Sequence, residues 1–179
     1  MAAPVVVTAA PQKSNLERLY EATPDVVMPA PLSRDVYPNT RFWEEDEWEE
    51  WSKQGKEKGT FKSRVPGEGV NSSWMVDMSG KRVERKLQRK ILGEARHTWV
   101  TMRAFEVDFT VFKHTPMPSL DYFRARMESR FPELQLCADH WKADRVWKEN
   151  FSSWDQPSST TEPQEASQPE CRSKKVSGF

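Results

Sequence analysis

VERKLQRKILGEARHTWVTM, residues 83–102, carries the strongest periodic signal in the chain. Val83, Leu87, Ile91, Ala95, Trp99 and Met102 step by four, four, four, four and three, so they line one stripe of an α-helix. The spacing predicts a helix over 81–105, with Ser79 as its cap. Gly93 weakens that helix by roughly 1 kcal/mol relative to Ala and does not break the pattern.

Working outward, two more helices follow. Ser119 is read as the cap of a helix over 119–131 that buries Leu120, Phe123, Met127 and Phe131 and leaves Arg124, Arg126 and Arg130 outside. Pro132 closes it. After a short connection, Asp139 caps a helix over 139–154 carrying Trp141, Trp147, Phe151 and Trp154. Between the first two helices, Val107, Phe109 and Val111 alternate like a strand, yet no partner strand is evident.

Upstream, Asn39 or Thr40 caps a helix through Trp43 to about Lys53. Glu44, Glu45, Asp46, Glu47, Glu49 and Glu50 surround its three tryptophans. Acids in a first turn suit the helix macrodipole. Five of the seven glycines fall in 55–80, which reads as a loop with Trp74-Met75-Val76 as an apolar island. The fold class expected is mainly α: a small bundle of three core helices plus an acidic, tryptophan-rich helix, with disordered termini.

Domain boundaries follow from composition. Six of 13 prolines lie in residues 1–38, read as a Pro/Ala-rich tail with one short helical turn near Ser14–Glu21. Residues 39–154 form the helical domain. Residues 155–179 are a Ser/Pro/Glu-rich tail that cannot bury enough apolar surface to order itself.

The chain has 27 basic and 27 acidic residues, which excludes a globally basic nucleic-acid binder but not a local patch. No run approaches the roughly 18 apolar residues of a membrane span, so no membrane partner is expected. The N-terminus lacks a basic start and reads as a solvated tail, not a signal peptide. Cys137 and Cys171, far apart, fit a reducing compartment better than a disulfide scaffold. An intracellular protein, nuclear or cytoplasmic, is the expectation.

The helix over 81–105 has a second face. Lys81, Arg82, Arg85, Lys86, Arg89 and Lys90 place six cations in ten residues, opposed only by Glu84. Clustered Lys and Arg neutralise phosphates and release counterions, so this is the candidate nucleic-acid-binding or nuclear-import surface. Three other readings stand beside it: a solvated face, a docking place for the acidic helix, and a surface for another partner. Trp43, Trp48 and Trp51 have no long apolar stripe to explain them. They are the candidate contacts for a protein partner, because exposed tryptophans make interface hot spots.

Other motifs are weaker. The last two helices invite a helix-turn-helix reading, with Lys142, Arg145 and Lys148 as polar contacts, but the turn is long and acids dilute the charge. Trp43 to Trp48 superficially matches the opening of a Myb-type repeat, yet glycines occupy the place of its later helices. Cys137 and His140 have a metal-like gap without a second pair, so no metal is expected. There is no Gly-x-Ser-x-Gly, no phosphate loop and no Gly-x-Gly-x-x-Gly, so neither a cofactor nor catalysis is expected.

Tyr122-Phe123, Met127-Glu128, Arg130-Phe131-Pro132-Glu133-Leu134, Leu136-Cys137 and Trp141-Lys142-Ala143 together resemble the C-terminal part of uncharacterised proteins predicted from mushroom-forming fungi. The resemblance implies a family and no activity. The residues alone point to a non-catalytic binding protein, with nucleic acid or a protein as the partner.

Overall fold

The stripe on residues 83–102 is buried as its spacing demands: Ile91, Ala95, Trp99 and Met102 are inaccessible to solvent. A computed structural model describes residues 12–57 and 73–155. The order is α1 (Asn15–Ala22), α2 (Glu45–Glu57), α3 (Arg85–Ala104), α4 (Met117–Arg130) and α5 (Trp141–Trp154). Two 3-10 turns, Phe112–His114 and Pro132–Leu134, lie before and after α4.

Helices α3, α4 and α5 pack against one another around an aromatic centre. Trp99 stacks on Phe123 at 5.8 Å with the rings nearly parallel, and Trp147 meets Phe123 edge-on at 4.7 Å. Phe109, Phe151 and Trp154 close the ring. Offset and edge-on pairs of this kind add about 0.5–1.5 kcal/mol each beyond their burial.

Helix α3 begins later than its apolar stripe implies. Asp77 N–H donates to the Lys81 carbonyl (2.8 Å) and Val83 N–H to that of Met75 (3.0 Å), forming a short antiparallel bridge between Val76 and Arg82. Backbone groups committed to that bridge are not free for a helix. Ser79 is therefore no cap: its hydroxyl donates to Asp77 Oδ1 inside the turn. That hydroxyl, with the Lys81 and Ser79 N–H groups, holds the Asp77 carboxyl below its usual range. Glu84 takes the cap position and makes no side-chain capping bond. At the turn's tip Gly80 has φ +77, and a Cβ there would meet the Asn39 carbonyl oxygen at 2.2 Å, so the site requires glycine.

Two other caps differ from expectation. Pro116, not Ser119, opens α4, while the Ser119 hydroxyl donates to the Asp108 carbonyl. His140, not Asp139, opens α5, and both adopt left-handed backbone (φ 61 and 49). The segment 106–116 forms no strand among the described residues. Val107 and Phe109 turn inward, Val111 is exposed, and Thr115 knits the loop through Thr110.

The proposed tail over 1–38 is corrected for its described part. Ser14 and Glu17 form a reciprocal capping box that starts α1. Leu19 and Val26 are buried in the common core. Tyr20 meets Tyr122 edge-on at 5.1 Å, and Asp25 pairs with Arg126 at 2.9 Å. Proline richness misled here because one short helix and a few side chains of the irregular stretch after it suffice to dock the segment on the core. The glycine-rich loop is likewise docked over 73–80, where Trp74, Met75 and Val76 are buried. The expectations for 1–11, 58–72 and 156–179 lie outside the described residues.

Candidate nucleic-acid interface

Every basic residue of α4 is bound within the fold. Arg124 forms a two-pronged bridge to Asp144 at 2.7 and 2.8 Å, with Asp121 at 3.1 Å. Arg126 is buried between Glu94 and Asp25, both at 2.9 Å, and Arg130 reaches Glu94 at 3.0 Å. The expectation that these three arginines point outward is therefore wrong for Arg124 and Arg126. An arginine inside a core is tolerated when its fork is fully paired, and Asp144, Glu94 and Asp25 supply the pairing.

The cations of α5 fail as a recognition surface for the same reason. Arg145 pairs with Glu149 (2.8 Å) and Glu45 (3.6 Å), and Lys148 also reaches Glu45 (3.5 Å). Lys142 is fully buried, and its ammonium makes no hydrogen bond among the described residues. Burial lowers its pKa from 10.5 to about 8. The helix-turn-helix reading thereby loses Lys142 as a contact and finds Arg145 and Lys148 already engaged.

The outer face of α3 is different. Arg85, Lys86, Arg89 and Lys90 are exposed and form no ion pair with any described residue. Arg96 joins them one helical repeat later, also exposed. The sequence reading missed it by stopping at Lys90, although a turn-by-turn projection of the helix places Arg96 beside Arg89. No acid lies in the first turn. Arg85 and Lys86 instead sit at the positive end of the macrodipole, where cations cost stability and strengthen the local positive potential. Lys81 and Arg82 precede the helix, in the bridge and turn, and are exposed beside its start.

Among the described residues, no ion pair joins the acidic helix to this face. Glu45 engages Arg145 and Lys148 of α5, Glu47 reaches Arg34 at 2.8 Å, and Glu49 pairs with Lys53 within α2.

Two of the three candidate partner-binding tryptophans are inside. Trp43 and Trp48 are 6% and 2% exposed. The Trp43 carbonyl accepts from Ala138 N–H and from the Trp141 indole, both at 2.9 Å, so it ties the residues just before α2 to the start of α5. Trp48 packs on Phe42 and Trp51, with the Arg145 guanidinium 5.5 Å from its ring. The stripe that explains them runs from α2 to Phe42 and α5, not along α2 itself. Trp51 is half-buried and lines an open groove of about 450 Å³ with Arg34, Arg41, Phe42 and Glu47.

The α4–α5 corner gathers Glu128, Cys137, His140 and Lys142, the residue types of a nucleophilic site. Its geometry argues against that chemistry. His140 Nδ1 lies 2.8 Å from the Glu128 carboxyl, while the Cys137 thiol donates to the Leu134 carbonyl. Burial pushes the thiol up to about 12, so no thiolate forms near neutral pH. Burial also raises the Glu128 carboxyl above its ordinary value. No group of three or more metal-ligating side chains occurs among the described residues. Tyr122, Phe123, Met127, Glu128, Leu134, Leu136, Trp141 and Lys142 are all buried. No described helix is long and apolar enough to cross a membrane. Comparison with family models, curated proteins and solved structures finds no match to this chain.

Proposed function

We propose that this is a non-catalytic binding protein whose α3 outer face contacts the phosphates of a nucleic acid. One observation carries the reading: Arg85, Lys86, Arg89, Lys90 and Arg96 are exposed and unpaired among the described residues, whereas the arginines of α4 are ion-paired. Unpaired cations at a helix N-terminus reduce stability, and phosphate contact gives them a use. Lys81 and Arg82 flank the same face. The reading puts the protein in the nucleus or cytoplasm, where nucleic acid is found.

A salt titration of binding to random-sequence DNA and RNA tests it. Five neutralised phosphates give a slope of log K against log salt of about −4.5 on duplex DNA. The pair Lys86→Glu/Arg89→Glu should abolish binding while the helical signal stays unchanged. Absence of binding at low salt, or binding indifferent to that pair, refutes the proposal.

A second reading rests on the groove beside Trp51. Its wall combines an aromatic ring with Arg34 and Arg41, the residue types that anchor protein interfaces. It makes the protein an adaptor. Trp51→Ala would then release a protein partner without affecting nucleic-acid binding.

A further inference from the structure

The exposed arc of α3 has a division that charge alone does not explain. At 3.6 residues per turn, Arg85, Arg89 and Arg96 fall in one row, and Lys86, Lys90 and His97 in a second row about 100° around the helix. Between the rows lie Gly93 and Val100, both exposed. No acid falls within this arc. Glu94 lies beyond the second row and is bound to Arg126 and Arg130.

Gly93 is out of place in a helix interior. It is less favourable there than alanine. Nothing in the fold asks for it, since a Cβ built at this position meets no atom within 4 Å and its backbone is not left-handed. Glycine where alanine fits, on an exposed cationic face, leaves a bare strip of backbone between two rows of long basic side chains.

Building on the proposed function, we infer that α3 carries a seam for one nucleic-acid strand, its phosphodiester backbone running along the helix axis and coming closest at Gly93. Both rows then reach the same chain of phosphates from opposite sides. From Arg85 to Arg96 the seam is about 17 Å long at 1.5 Å per residue. The exposed Val100 extends it with an apolar surface for a sugar or base. A straight seam along one helix suits a single strand, because a flexible strand can straighten along it whereas either backbone of a duplex winds around the duplex axis.

The test uses the full chain with 20-nucleotide oligo-dT and oligo-U, and with a duplex of equal length. Gly93→Leu fills the seam and removes no charge. It should weaken single-strand binding at least tenfold while the melting temperature stays level or rises by a few degrees, since leucine is the better helix former. Gly93→Gln repeats the test with a polar side chain. Arg96→Ala should weaken binding severalfold and flatten the salt slope by about 0.7. If both Gly93 variants bind like wild type while Lys86→Glu/Arg89→Glu does not, the seam is refuted and the basic face stands. If the wild-type chain binds none of the three probes, the face itself is refuted. A duplex bound as tightly as a single strand and unaffected by Gly93→Leu also overturns the seam.

Discussion

Helices α3 and α4 pack against each other and both carry arginines, and they use most of them in opposite ways. On α4, Arg124 and Arg126 turn inward and meet acids from α3, α5 and the Thr23–Val26 segment. On α3, cations one turn apart face solvent with no acid among them. Sequence spacing does not distinguish the two cases. What decides is whether the rest of the fold brings a carboxylate to the arginine: α4's charges hold the bundle together and Arg103 of α3 meets Asp155, while the cations from Arg85 to Arg96 on the outer face of α3 have no ion pair among the described residues.

The largest effect should come from breaking an inward pair. Asp144 is 8% exposed, and Arg124 is its two-pronged partner. Arg124→Leu leaves that carboxylate buried and unpaired, which costs about 3–5 kcal/mol. Arg124→Lys keeps the charge without the fork and should cost less. Replacing both partners, Arg124→Leu/Asp144→Leu, should recover much of the loss. Chemical denaturation of the four proteins checks the order, and a single variant as stable as wild type would show that Asp144 finds water or another partner.

Next in size is the buried cation of Lys142, which makes no hydrogen bond among the described residues. The Lys142 pKa falls from 10.5 unfolded to about 8 folded. Below pH 8 both states are protonated, and the buried charge destabilises the fold by about 3 kcal/mol. Between pH 8 and 10.5 the unfolded chain binds more protons, so stability rises with pH through that window. Cys137 acts in reverse from pH 9, because its folded pKa of about 12 exceeds the ordinary 9.0. The window free of Cys137 is therefore pH 8–9. Lys142→Met should stabilise the protein by up to about 3 kcal/mol at pH 7, with the gain shrinking as pH climbs. A gain that stays constant from pH 7 to 9 would mean the ammonium is hydrated in the native state.

The same contrast marks how much was legible in the sequence. The α3 stripe was readable because period 3.6 is a local property, and it located Ile91, Ala95, Trp99 and Met102 without any tertiary information. The cationic face was readable for the same reason, although the places of Arg96 and Gly93 on it required the helix to be laid out around its axis. Partnering was not readable. Arg126 meets Asp25 across 101 residues, and the Trp43 carbonyl meets the Trp141 indole across 98. Local pattern carries no trace of such contacts, and tertiary packing of this kind is what places Trp43 and Trp48 in the core. The start of α3 was missed for a smaller reason of the same kind, since the bridge from Val76 to Arg82 claims backbone groups that a helix would otherwise use.

The smallest expected change sharpens the comparison most. Lys86 stands in the first turn of α3, where the macrodipole disfavours a cation. Lys86→Glu removes that repulsion, adds an acid at the favoured end and creates a Glu-to-Lys pair with Lys90 at i, i+4. Together these should stabilise the fold by about 1 kcal/mol, which for a chain of this size raises the melting temperature by about 3 °C. Stability and function then move in opposite directions, because the same substitution should weaken nucleic-acid binding. Arg124 on α4 offers no comparable trade: its partners are Asp121 and Asp144, so removing it should lower stability and leave the charges of the α3 face as they are. A Lys86→Glu protein that melts lower than wild type would show that Lys86 has a structural partner, and the distinction between the two helices would fail at its most exposed point.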